Sequence, residues 1–231
     1  MKKNRFEYLY IKTSENEAKI EFSGIKFIDF IKYTPIPVNN MMLLKANYIG
    51  EHNYYCFELI KGDKEISDFQ FENIYDYGDF CFVDYANDAI LNELSEQNIA
   101  ELFYLGNMHK PLNSPFFDVL QNKYAYLSHD DGWYSKIYCK DQSIALNIIS
   151  NVIKNKIMHI VGDKILILDD LNNEISKYSN EGLLIEIEKI SKNNVYIRIY
   201  EASKFENMDD LFDNLEQIKT KILYETKIPG V

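Results

Sequence analysis

One short segment of this sequence combines residue types that could carry out catalysis. Residues 128–134 read Ser-His-Asp-Asp-Gly-Trp-Tyr, so that His129 is followed directly by Asp130 and Asp131, with Trp133 close behind. An imidazole beside carboxylates could bind a metal ion or transfer a proton. The same residues are typical of a β-hairpin turn, because Asp-Gly favours such turns. Adjacent strand residues also point to opposite faces, so His129 and Asp130 cannot readily share one metal ion. A metal-dependent hydrolase that uses His129, Asp130 and Asp131 is therefore an alternative hypothesis.

A second pair of acids, Glu186 and Glu188, is separated by one residue and follows three aspartates. This arrangement faintly resembles metal-dependent nucleases, which would need a lysine at the position of Glu188. Ile185 and Ile187 alternate with the acids, and this alternation predicts a strand with its isoleucines inward and its acids outward. The resemblance therefore assigns no residue of this chain to catalysis.

Other signatures of catalysis or cofactor binding are missing from the sequence. The four histidines lack metal-ligand spacing, and no nucleophile elbow or glycine-rich phosphate loop is found. The three cysteines form no C-x-x-C pair, which favours a reducing compartment. No apolar run approaches the ~18 residues of a membrane span. We expect a cytoplasmic protein with no metal site, no cofactor and no membrane association.

Most of the net charge lies in residues 63–101. Eleven carboxylates and one lysine give this segment a charge of −10, compared with −11 for the whole chain, and seven aromatic residues are interspersed among them. Such a surface repels nucleic acid and attracts basic partners, with aromatic rings as anchors. Simple solvation of an acidic outer face is the competing explanation. The predicted partner-binding residues are Asp68, Glu72, Tyr75, Asp76, Tyr77, Asp79, Asp84, Tyr85 and Trp133.

These features predict a non-enzymatic binding module that engages a basic protein. In composition only, the chain resembles small bacterial immunity and antitoxin proteins, a resemblance that implies a basic toxin as the partner. No motif or residue is carried over from those proteins. A second alternative is an oligomeric structural or assembly protein, in which aromatic-rich strand edges pair between subunits.

The order of predicted elements indicates an α+β fold of mostly antiparallel strands and hairpins with about four packed helices. We expect a main domain over residues 1–155 and a C-terminal hairpin and helix subdomain over residues 156–231, unless the two form one continuous domain. No linker rich in proline, glycine or serine marks the boundary.

Several individual elements matter for the site. Alternation of acids with Phe69 and Phe71 predicts a strand over residues 68–72. Ser95 is a predicted N-cap for a helix that ends near Met108. A further strand is predicted over residues 156–160. A final helix is predicted to begin at Asn207, with an apolar stripe that includes Ile222.

Overall fold

The computed structural model describes residues 6–14, 19–44, 57–70, 80–129, 134–161, 169–191, 194–203 and 208–229. They form a mixed α+β fold with antiparallel strand pairing, as predicted. Five helices of seven or more residues occur in these ranges, where about four were predicted. The strands are β1 (Phe6–Ser14), β2 (Lys19–Ser23), β3 (Asn40–Leu43), β4 (Glu58–Lys61), β5 (Phe80–Asp84), β6 (Tyr124–His129), β7 (Tyr134–Cys139), β8 (Leu183–Ser191), β9 (Asn194–Glu201) and β10 (Ile222–Pro229). The α-helices are α1 (Phe27–Tyr33), α2 (Gly62–Gln70), α3 (Glu96–Met108), α4 (Gln142–Val161), α5 (Asp169–Tyr178), α6 (Met208–Asp213) and α7 (Leu215–Ile218), with 3-10 helices at Asp88–Glu93 and Ser179–Glu181.

The chain divides into two compact units. The central unit comprises residues 26–141, and the terminal unit is assembled from residues 1–25 and 142–231. The boundary predicted at residue 155 falls inside α4, which runs unbroken to Val161. The physical reason is the apolar stripe of this helix, because buried residues continue at helical spacing through Ile153, Ile157 and Val161. Residues 156–160, predicted as a strand, therefore belong to α4.

In the central unit, five strands pair in the order β7-β6-β5-β3-β4. One face of this sheet is covered by aromatic rings. Phe27 of α1 meets Phe80, Phe82 and Tyr126 edge-on, with ring centroids 5.1–5.6 Å apart, and Phe69 of α2 lies 5.9 Å from Phe27. Edge-to-face contacts of this kind are favourable, because the positive ring edge meets the negative face.

The opposite face of the same sheet packs against α3. Leu102 and Leu105 share a buried cluster with Cys81 and Val83 of β5. A Cβ atom at Gly106 would lie 2.8 Å from the Cβ of Leu44, so that only glycine permits this approach of the helix. Helices thus cover both faces, and the strands between them are apolar on both sides.

Residues 68–70 of the strand predicted over residues 68–72 belong to helix α2, and residues 71 and 72 lie outside the described residues. Ile66 and Phe69 are buried and lie three residues apart, while Asp63, Glu65 and Asp68 are exposed. This is the spacing of a helix with one inward face. The alternation that suggested a strand covers too few residues to separate the two periods.

In the terminal unit, the strand order is β10-β9-β8-β1-β2. Ile185 and Ile187 of β8 and Ile197 and Ile199 of β9 are buried, and α4 packs against β9. The predicted final helix is shorter than expected, because Ile222 begins β10 rather than continuing a helical stripe. Ile222 fits both interpretations, since it lies four residues after Ile218 and also opens the alternation of β10.

Asn122 provides a test of how the loop before β6 is held. Its buried side chain donates to the carbonyl oxygens of Pro115 (3.0 Å) and Tyr124 (3.1 Å) and accepts from the backbone N–H of Phe117 (2.7 Å). Asn122→Ala would leave these buried groups without their partner. The free energy of unfolding, measured by urea denaturation, is expected to fall by about 2–4 kcal/mol.

Asn107→Ala is the matched control for this substitution. Asn107 is exposed and makes one hydrogen bond, from its Nδ2 to the carbonyl oxygen of Phe103 (2.9 Å). A loss of no more than about 0.5 kcal/mol is expected there. Equal losses for the two variants would contradict the role assigned to Asn122.

Candidate functional site

Seven carboxylates of α2, the Asp88–Glu93 helix and α3 are together called the acidic face of the central unit, and α2 and α3 lie on opposite sides of its sheet. Six of them are exposed and Glu101 is half-buried. Lys61 joins two parts of the face, because its Nζ lies 2.7 Å from Oδ2 of Asp88 and its backbone N–H donates to Glu65 (2.7 Å). The seven residues of the acidic face are Asp63, Glu65, Asp68, Asp88, Glu93, Glu96 and Glu101.

Ser95, the N-cap predicted from the sequence, determines where α3 begins. The Ser95 hydroxyl accepts from the backbone N–H of Asn98 (3.1 Å), and the Asn98 side chain accepts from the backbone N–H of Ser95 (3.1 Å). This reciprocal pair is a capping box, which satisfies two donors at the helix start. The first turn then presents Glu96, whose negative charge is favoured near the positive end of the helix dipole.

Apolar side chains border the acidic face at the far end of α3. Met108 and Leu112 are 52% and 58% exposed. Met108 lies seven residues after Glu101, which places both on one side of the helix. The Asn113 side chain donates to Glu101 (3.0 Å) and so holds the loop that carries Leu112 beside the same helix.

Two of the predicted partner-binding residues have roles inside the central unit. The carboxylate of Asp84 accepts from the backbone N–H groups of Tyr124 (2.6 Å) and Lys123 (2.9 Å). Burial raises the pKa of Asp84 to about 6, against the opposing effect of these hydrogen bonds. Tyr85 is 3% exposed and donates its hydroxyl to Asp88 (3.3 Å). The side chains of Asp84 and Tyr85 are therefore not exposed anchors for a binding partner.

The aromatic residues of the acidic segment that the structure describes are also internal. Phe69, Phe80 and Phe82 belong to the covered face of the central sheet. Asp68 is the predicted partner-binding residue that is found exposed. The other predicted positions, Glu72, Tyr75, Asp76, Tyr77, Asp79 and Trp133, lie outside the described residues, as do Asp130 and Asp131. His129 ends β6, where its backbone pairs with Tyr134.

Sequence reasoning missed a buried ion cluster in the terminal unit. Glu186 was predicted to point outward, but it is 1% exposed. One carboxylate oxygen accepts from Lys219 Nζ (2.6 Å) and the Tyr8 hydroxyl (3.3 Å). The other accepts from the Tyr200 hydroxyl (2.6 Å) and Arg198 Nη1 (3.2 Å). Four donors therefore replace the water that burial removes.

Two cations, Lys219 and Arg198, face the carboxylate of Glu186. Burial by itself would raise the pKa of Glu186, but the hydrogen bonds from Lys219 and Tyr200 and the charge of Lys219 outweigh it and lower that pKa. Arg198 also pairs with Glu188 (2.6 Å) and with Glu225. A carboxylate saturated in this way is a structural element and not a poised acid or base.

Strand register explains why the sequence alone did not reveal this cluster. Tyr8, Glu186, Arg198 and Glu225 occupy one row across four neighbouring strands. Their positions in the chain are far apart, and the row exists only once the register is fixed. A polar residue inside an isoleucine-rich strand was the available signal, and it is compatible with an exposed face as well.

A small polar groove lies between α4 and α5. Its volume is about 390 Å³, and its lining includes Asn147, Ser150, Asn151, Lys154 and Asn172. Two pairs of these side chains form hydrogen bonds, one between Ser150 and Asn172 and one between Asn151 and Asn147. Hydroxyls, amides and a lysine offer hydrogen bonds but no nucleophile with an adjacent base.

Within the described residues, no group of three or more His, Cys, Asp and Glu side chains is arranged to hold a metal ion. No helix in the same parts of the chain is long and apolar enough to cross a membrane. Comparison of the sequence and the structure with protein families, curated proteins and solved structures found no match.

Glu186→Gln tests the balance of the ion cluster. The amide removes the negative charge that Lys219 and Arg198 face, and the free energy of unfolding at neutral pH is expected to fall by about 2–3 kcal/mol. Because the folded-state pKa of Glu186 lies below its ordinary value of 4.5, its contribution is present above that pH and is lost as the pH falls through the folded value. Urea denaturation of both proteins between about pH 7 and pH 3 measures this difference.

A more exposed glutamate provides the control for this variant. Glu174 is half-buried and pairs with the exposed Lys177 at 3.6 Å within α5, and Glu174→Gln is expected to cost at most about 0.5 kcal/mol. If the stability difference between wild type and Glu186→Gln did not shrink in acid, the assigned charge balance would be wrong.

Proposed function

We propose that this chain is a non-enzymatic binding protein whose acidic face engages a basic protein. The observation that carries the proposal is the concentration of carboxylates on exposed positions of α2, the Asp88–Glu93 helix and α3. The segment that holds them accounts for −10 of the net charge of −11, so the rest of the chain is close to neutral. Carboxylates concentrated in one segment of the chain attract and steer a partner of opposite charge.

Apolar contact supports the same interpretation. Met108 and Leu112 are exposed next to Glu101 and can be covered by a partner that the carboxylates attract. Binding surfaces commonly combine a few apolar anchors with a polar rim, and the anchors supply most of the affinity. Solubility explains the exposed acids, whereas Met108 and Leu112 add apolar area beside Glu101 that a partner can cover.

The partner class follows from charge. A lysine- and arginine-rich protein complements the acidic face, whereas nucleic acid and anionic lipid are repelled by it. This is the partner expected from the compositional resemblance to immunity and antitoxin proteins. Saturation of Glu186 by its four donors favours a structural role over a catalytic one for this residue of the terminal unit.

Capture from the cytosol of the source cells tests the proposal. The tagged protein is incubated with lysate at low salt, eluted with rising salt, and the eluted proteins are identified by mass spectrometry. We expect one basic protein, with an affinity at least about tenfold weaker at 0.5 M salt than at 0.05 M, because the Debye length shortens from more than 10 Å to about 4 Å. Affinity that does not change with salt would contradict the electrostatic mechanism.

A triple variant links that capture to the acidic face. Glu93→Gln, Glu96→Gln and Glu101→Gln together remove three charges and keep side chains that accept hydrogen bonds. We expect the association rate with the captured protein to fall about tenfold or more, measured by surface plasmon resonance. The matched control is Asp170→Asn, Glu174→Gln and Glu216→Gln, which removes equal charge from the terminal unit. Equal effects of the two variants would show that only total charge matters.

The apolar border is tested separately. Met108→Ser and Leu112→Ser together are expected to raise the dissociation rate of the captured protein at least about tenfold while its salt dependence stays the same, because they remove apolar contact and no charge. Ile28→Ser, at an exposed apolar residue of α1, is the control. An unchanged dissociation rate in the double variant would exclude Met108 and Leu112 from the interface.

A further inference from the structure

Strand β10 is a long, regular edge of the sheet in the terminal unit. It pairs with β9 on one side, and it is last in the strand order, so that no described strand pairs with its other side. An irregularity in register lies at its start, between Ile222 and Tyr224, and Pro229 ends it. Between these points the strand is regular and offers backbone N–H and C=O groups for pairing.

We propose that β10 pairs antiparallel with β10 of a second copy of this chain about a two-fold axis at Thr226. In this arrangement Glu225 lies opposite Lys227 of the second copy, and the same pair occurs again across the axis. Glu225 is 44% exposed and Lys227 is exposed, so both are accessible to a neighbouring strand. Opposite charges directly across a strand pair attract, while like charges repel.

Charge also selects the register. Moving the axis to residue 225 places Glu225 opposite itself, and moving it to residue 227 does the same with Lys227. Among registers that keep corresponding faces on the same side, the axis at Thr226 alone matches both charges with opposite charges. Charged edges usually prevent association, but acids and bases spaced two apart become complementary under two-fold symmetry.

Apolar residues favour the same register on the other face. Tyr224 and Ile228 are half-buried and lie on the side of the sheet where β9 presents Ile199 and Val195. Pairing at Thr226 places Tyr224 opposite Ile228 of the second copy, twice. Contacts between aromatic and β-branched residues are a favourable cross-strand pair, and pairing removes both side chains further from water.

The pairing would also extend the ion cluster of the terminal unit. Glu225 accepts from Arg198 and lies in the row that contains Glu186. Its carboxylate has acceptor capacity beyond one hydrogen bond, and Lys227 of the second copy would use it. Acid and base would then alternate across the interface as they do within the sheet.

Two charge reversals test the arrangement by sedimentation equilibrium. The wild-type protein is expected to have twice the 27.2 kDa mass of one chain at about 100 µM. Glu225→Lys gives a strand with two bases and Lys227→Glu a strand with two acids, so each variant alone is expected to dimerise at least about tenfold more weakly. An equal mixture of the two should recover the dimer as a heterodimer.

Several results would overturn the proposal. They are a wild type that stays monomeric at this concentration, single variants that dimerise as the wild type does, and a mixture that stays monomeric. Far-ultraviolet circular dichroism and melting temperature establish that each variant is folded, which is needed because Glu225→Lys also removes a partner of Arg198.

A cysteine placed at the proposed axis gives a second test that leaves the charges unchanged. Directly opposite residues of an antiparallel pair are within disulfide range, so Thr226→Cys is expected to form a covalent dimer under mild oxidation. Thr220→Cys, in the exposed turn before β10, is the control and should not do so. Equal cross-linking of the two variants, or none at Thr226→Cys, would overturn the register.

Discussion

The free-energy cost of removing a carboxylate from water determines how this protein distributes its acids. An ionised group that loses its hydration must recover equivalent hydrogen bonds or opposite charges. In the central unit the sheet is covered on both faces, so its strands have almost no place for such a group. The described acids of the segment are therefore carried mainly by α2, the Asp88–Glu93 helix and α3, and the acidic face is a consequence of how the core is built.

Asp84 and Glu186 point inward, and each offsets the cost of losing water in a different way. Asp84 ends a central strand and uses two backbone N–H groups, which are dipoles rather than charges, and its pKa is raised. Glu186 has two cations and two hydroxyls around it, and its pKa is lowered. Burial acts in the same direction on both residues, so the difference lies in the full charges that face Glu186.

Local patterns in the sequence predicted the elements that have a clear period and a clear cap. The helix that begins after Ser95 and the alternating isoleucines of β8 and β9 are found where expected. Prediction failed where two periods share the same residues, as with Ile222 and with the stretch around Phe69. Short amphipathic segments carry too few positions to decide between a helix and a strand.

The candidate site was predicted in part, for a related reason. Charge density is visible in the sequence, and it located the acidic segment. The direction of each side chain depends on packing, so the burial of Tyr85 and of the neighbouring phenylalanines could not be read from composition. The buried row around Glu186 requires strand register between distant parts of the chain, and no local pattern encodes it.

The division of the chain into a continuous central unit and a discontinuous terminal unit has a consequence for biosynthesis. Strand β1 is made before the central unit, but its partner β8 follows much later, and Tyr8 and Glu186 are 178 positions apart. At roughly 5–20 residues per second, the ribosome needs about 10–35 s to supply that partner. Residues 26–141 emerge as one block and can fold during this interval. A nascent chain can therefore carry its acidic face before the sheet of its terminal unit closes, and until β8 is made the edge of β1 that pairs with it has no partner strand.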